Sequence, residues 1–254
     1  MKCKVVKTTL EEIKPFRVLF LHENNFQFTY DKCHYYGWAD TYLLLTGDHK
    51  IGYGCVWGKD KRTDRDSIME FFVLKPFRQF ANILFREFIS VSSSTFIECQ
   101  SNDLLLTELL YQFAENIKAE AILFEDHLQS NFTIPGVLFG RKETDDKNAN
   151  DVGGFFLEHN GEIVATGGFM LNYNIPYADI YMDVPEKFRN KGFGSLIIQE
   201  LKKEIYLMGR VPAARCNINN PPSKAALLKA GFSICGFRLI GAIKKSSAEP
   251  ENEK

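Results

Sequence analysis

The 254-residue sequence has no C-x-x-C pair, no apolar run approaching the roughly 18 residues of a membrane helix, and almost no net charge. Each absence removes a class of protein. Its 31 basic and 32 acidic residues leave a formal charge of -1, without the broad positive field that a nucleic-acid or anionic-membrane binder uses. Neither partner is expected. The six cysteines (Cys3, Cys33, Cys55, Cys99, Cys216, Cys235) are scattered and have no histidine at metal-ligand spacing, so reduced, mostly buried thiols are expected. The five histidines share no spacing either, and they read as single surface residues without a metal or catalytic role. The N-terminus, M-K-C-K-V-V-K, carries charge where a signal peptide needs an apolar core, and a cytoplasmic protein is expected.

What is present is ample core material, 45% apolar and 13% aromatic with 22 Phe, in a chain long enough for two domains. Periodicity predicts one helix or a broken pair over about 10–28, helices over 77–91 and 104–119, a hairpin over 41–57, and strands at 67–73 and 95–99. The charged stretch 141–151 reads as a linker between a domain over 1–140 and one over 152–245, and the polar residues 246–254 read as a loose tail. After the linker the order repeats. A hairpin turns at Asn160-Gly161, a strand runs over 180–184, a helix over 194–208, a strand over 213–218, a helix over 223–230, and a strand pair ends near 243. V-L-K-P-F-R from Val73 stands opposite V-P-E-K-F-R from Val184, and I-E-C-Q-S-N opposite A-R-C-N-I-N. An internal duplication with an offset of about 110 to 117 residues accounts for both matches.

The loop Arg189-Asn190-Lys191-Gly192-Phe193-Gly194 follows a predicted strand and opens a predicted helix. Unpaired amides and the positive end of the helix dipole lie there, and glycines let the backbone approach an anion such as a pyrophosphate. Downstream, Asn219-Asn220-Pro221-Pro222-Ser223 leads into a short helix that ends K-A-G-F, with Ser223 a candidate helix cap.

V-P-E-K-F-R-N-K-G-F-G is similar to the R-x-x-G-x-G motif of the GNAT superfamily of acyl-CoA N-acyltransferases. N-P-P-S-K-A-A-L-L-K-A-G-F resembles the N-x-x-S-to-K-x-G-F segment of its ribosomal-protein-acetylating branch. The resemblance implies an α/β (α+β) fold of two GNAT-like domains, each a mixed, mostly antiparallel sheet flanked by helices. It implies acetyl-CoA as co-substrate, no metal, and a small-molecule or peptide amine as acceptor. Backbone groups of Met182, Asp183 and Val184 would meet the acetyl carbonyl and pantetheine arm. Amides of Asn190, Lys191, Gly192, Phe193, Gly194 and Ser195 would hold the pyrophosphate, with Arg189 at the rim and Asn219 and Asn220 beside the arm. A base and an acid are needed to deprotonate the amine and protonate the thiolate. Asp179 and Asp183 are candidates for the first and Ser223 for the second. The family's usual tyrosine position holds Leu227, which leaves Tyr173, Tyr177, Tyr181 and Tyr206 as further donors and keeps a catalytically silent CoA-binding sensor in view. An acyl or aminoacyl transferase with another donor is a further alternative. In the first half the equivalent loop, Arg78-Gln79-Phe80-Ala81-Asn82-Ile83, has no glycine. That half is expected to be a degenerate copy, with Trp38, Trp57, Tyr35, Tyr36 and Tyr42 either packing its core or lining an acceptor pocket.

Overall fold

The computed structural model describes residues 2–23, 26, 31–61, 63–142 and 149–245, without the side chain of Lys32. Residues 143–148 of the expected linker and the expected tail from 246 lie outside the described residues. Among those described, no helix is long and apolar enough to cross a membrane.

The first half opens with β1 (Cys3–Thr8), α1 (Leu10–Glu23) and α2 (Asp31–Tyr35), then the strands β2 (Asp40–Thr46), β3 (His49–Trp57) and β4 (Ser67–Val73). A 3-10 turn, Lys75–Phe80, leads into α3 (Ala81–Ser92), followed by β5 (Phe96–Gln100), α4 (Leu104–Phe113) and β6 (Ala114–Asp126). The second half comprises β7 (Val137–Arg141), β8 (Asp151–His159), β9 (Glu162–Met170), β10 (Tyr177–Asp183), α5 (Phe193–Leu207), β11 (Val211–Asn217), α6 (Pro221–Lys229) and β12 (Phe232–Ile243). Among the described residues, twelve strands form one sheet in the order β1-β2-β3-β4-β5-β12-β6-β11-β10-β9-β8-β7. Only β4–β5 and β10–β11 are parallel, and every other neighbour pair is antiparallel.

The centre of that order is an exchange. β6, which follows α4 of the first half, pairs with β11 of the second, while β12, which follows α6, pairs with β5 of the first. The step that carries Asp103 to Asn220 carries β5 onto β11, α4 onto α6 and Ala121 onto Arg238. Ala121 and Arg238 are also direct partners in the β6–β12 ladder. A local two-fold axis therefore passes through that rung, and each half completes its sheet with the last strand of the other. The duplication recurs in side-chain detail. Arg78 Nε donates to the carbonyl of Val73 at 3.3 Å, and Arg189 Nε donates to that of Val184 at 3.1 Å.

Three apolar clusters fill the fold. One packs α5 and α6 on the second half of the sheet, and one packs α3 and α4 on the first. In the second half Ile197, Ile198, Leu201 and Ile205 form the buried stripe of α5, each contributing roughly 1.5–3 kcal/mol. The third cluster packs α1 and α2 against the opposite face and runs across both halves, from Ile13, Phe20 and Tyr53 to Leu123, Tyr173 and Ala213. Trp57 and Tyr42 are core residues, whereas Tyr35 and Tyr36 are exposed.

Three expectations are corrected. The segment 114–119 is strand rather than helix, because β12 runs alongside it as a ladder partner, with β11 joining the other edge of β6 from Ala121 onward. Residues 232–243 form one bulged strand rather than a pair. His34 is no surface residue: its side chain is 3% exposed and stands beside Glu70.

Candidate functional site

The site grows from a sheet that opens. β10 pairs with β11 only at Tyr177, Ala178 and Asp179, although β10 runs on to Asp183 and β11 to Asn217. On its other edge β10 stays paired with β9 as far as Asp183. Past Asp179, then, the β11-facing backbone of β10 has no ladder partner among the described residues, and its amides and carbonyls are left for a ligand.

The chain leaves β10 through a 3-10 turn, Glu186–Phe188, and reaches α5 by two left-handed residues, Asn190 (φ 62°) and Gly192 (φ 88°). Asparagine and glycine tolerate that region, which turns successive amides toward one side. Gly192 caps α5 without a side-chain hydrogen bond, so the first amides of a 15-residue helix keep their donors. Gly194 faces α6: a Cβ built there would lie 3.6 Å from Ala226, Met182 and Val184. α6 starts at two prolines and is capped by Asn220, whose Oδ1 accepts from the Ser223 amide at 3.1 Å. Asn220, not Ser223, is therefore the cap, and the Ser223 side chain is not used for it.

Between these parts lies a cleft of about 460 Å³. Met182, Asp183 and Val184 form one wall, Arg189, Asn190, Gly192, Phe193, Gly194 and Ser195 the floor, and Asn220 and Ser223 the other wall. Two expected contacts fall outside it. Lys191 places its Nζ 5.7 Å from the Phe188 ring, and Asn219 lines a second cavity. Lys229, which the sequence reading passed over, lines the cleft instead, with Nζ 3.7 Å from the Cβ position of Gly192. It is the lysine of K-A-G-F, four residues beyond Ala225 on the same helix, and that spacing was the available signal.

Asp179 points away from α5, since its neighbours Ala178 and Ile180 belong to the α5 cluster. It is buried and lies 3.3 Å from Arg215 Nη2, and Arg215 also donates to the Tyr173 hydroxyl. Asp183, four residues on, is exposed. On the same face opens the second cavity, about 570 Å³, lined by Lys118, Glu120, Arg215, Asn217, Asn219 and Arg238. Arg238 bridges Glu120 at 2.5 Å and Glu98 at 3.7 Å, so both halves contribute to this wall. Leu227 is buried in the α5–α6 cluster. None of the four tyrosines lines the cleft: Tyr206 donates to Asp126, Tyr181 donates to Asp151 at 2.6 Å, and Tyr173 and Tyr177 sit in or against the third cluster. Burial and the Asp126 carboxylate hold the Tyr206 phenol well above its usual range.

The first half repeats this geometry but is closed. β4 and β5 pair only at Ser67 and Ile68 and then diverge. Where the second half has left-handed Gly192, Ala81 is right-handed (φ -55°) and buried. Arg78 is ion-paired with Glu23 of α1, and Asp103, in the place of Asn220, is buried.

A diverging parallel strand pair, with a glycine-bearing helix start at its open end, presents unpaired backbone amides beside an exposed strand edge, the kind of place where anions bind. Two family models match the chain. A GNAT acetyltransferase domain matches residues 9–127, and the GNAT acetyltransferase family matches residues 120–232. The chain belongs to the GNAT superfamily, with two family domains in tandem. Among solved structures it is similar to a GNAT-family acetyltransferase from Colwellia psychrerythraea, at 16% identity and a TM-score of 0.75 over 96% of this chain and 100% of that one. A tandem GNAT protein from the clavulanic acid biosynthesis pathway matches at 10% identity and a TM-score of 0.63, over 96% and 100% of the two chains. No curated protein matches the chain.

Proposed function

We propose that the second half binds acetyl-CoA and transfers its acetyl group to a primary amine held on the opposite face of the sheet. One observation carries this reading: the free β10 edge runs into a helix start with two left-handed residues, open in the second half and closed in the first. Amides from Asn190 to Ser195 receive the pyrophosphate, with Arg189 and Lys229 adding positive charge. Backbone of Met182–Val184 and the Asn220 amide group take the pantetheine arm. The cofactor supplies an activated thioester.

The neutral amine nitrogen attacks the thioester carbonyl carbon, a β10 amide stabilises the oxyanion, the C–S bond breaks, and the thiolate takes a proton. Asp179, beneath the opening of the strands, or Asp183 at its end accepts the amine proton, directly or through water. Ser223 is the donor to sulfur, a role supported by its place on the cleft wall and by Asn220 having taken the cap. On this reading Ser223→Ala lowers kcat by roughly 10²-fold and leaves cofactor affinity unchanged.

The burial of Leu227 and the absence of tyrosines from the cleft favour a second reading, a CoA-binding sensor without turnover. Thiol release from acetyl-CoA across a panel of amines separates the two. Acceptor-dependent release supports transfer, and CoA binding with hydrolysis alone supports the sensor.

A further inference from the structure

His34 of α2, Cys55 of β3 and Glu70 of β4 meet beneath the first half of the sheet, with one ligand-type atom of each within 4.8 Å of the others. All three are closed to solvent: the His34 and Glu70 side chains are 3% and 2% exposed, and Cys55 is 0% exposed. His34 Nε2 stands 3.3 Å from Glu70 Oε2, and His34 Nδ1 is buried with no hydrogen-bond partner among the described residues. The acyl-transfer cleft lies in the other half and makes no use of this cluster.

Arg17 faces two carboxylates, Asp31 at 2.6 Å and Glu70 at 3.2 Å. A divalent cation that enters the cluster displaces the Cys55 proton to solvent. Glu70 is held in one orientation. Arg17 Nη2 holds Oε1 at 3.2 Å, and the Tyr53 hydroxyl donates to Oε2 at 2.9 Å, as outer-sphere partners orient a metal-binding carboxylate.

We propose that His34, Cys55 and Glu70 form a structural site for a zinc-class divalent cation that ties α2 to β3 and β4. Thiolate and imidazole ligands select such an ion over magnesium or calcium.

The test uses the full chain after dialysis against a chelator, with Co²⁺ as the probe. About one equivalent binds and produces a thiolate-to-cobalt charge-transfer band. Cys55→Ser removes the band, and His34→Gln weakens binding by at least about tenfold. Because Cys55 is wholly enclosed, the CoA-induced thermal shift of each variant serves as a fold control that the cation site does not enter. Wild-type protein that responds to CoA yet binds no Co²⁺ would overturn the proposal, as would a band that persists in a folded Cys55→Ser variant.

Discussion

Asp103 and Asn220 cap equivalent helices, each accepting an amide hydrogen bond three residues on, yet one is buried and the other lines a cleft. Burial, helped by the nearby Glu23 and opposed by the Leu106 amide and Arg78, pushes the Asp103 carboxyl up to about 7. The folded chain thus holds that proton more tightly than the unfolded chain, whose aspartate titrates at about 3.9. Stability from this group is complete below about pH 4 and is lost as pH rises through about 7. Asp103→Asn keeps a cap of equal strength and removes the loss. Unfolding free energies from urea titrations should therefore fall less between pH 5 and pH 8 for the variant than for wild type, by a difference on the order of a few kcal/mol. Parallel curves would show that the carboxyl is not desolvated. At this scale the glycine-bearing loop was legible, because Asn190 and Gly192 are residue types that mark left-handed backbone locally. The cap of α6 was legible too but misread: prolines occupy the first helical turn, so the cap is the residue before them, Asn220. His34, Cys55 and Glu70 lay beyond such reading, since three elements bring them together.

At the scale of elements, β6 shows why local pattern fails. A-E-N-I-K-A-E-A favours helix by intrinsic propensity, but β12 offers its backbone a bulged ladder along one edge, and β11 takes up the other edge from Ala121. Nothing within the segment announces partners about 90 to 130 residues away, and no count of periodicity reveals an exchange of strands. The exchange predicts that neither half is self-sufficient. A fragment ending at residue 142 leaves β5 without β12 and β6 without either neighbour. Such a fragment should show no cooperative unfolding by circular dichroism, whereas co-expression with a fragment from 149 onward should restore a folded, CoA-responsive complex. An isolated first fragment that unfolds cooperatively at wild-type temperature would count against this account.

For the whole molecule, the continuous sheet and the cluster shared beneath both halves imply one calorimetric unfolding transition, raised as a unit by CoA. Two separable transitions, only one of them shifted, would mean that the halves are energetically independent. The central claim is that a duplicated scaffold keeps one cofactor bed open and the other shut. Isothermal titration with CoA tests it most directly, using wild type and Gly194→Val, whose new side chain would occupy the gap between Ala226, Met182 and Val184. About one equivalent should bind to wild type and none to the folded variant. Two equivalents, or binding that survives Gly194→Val, would contradict it.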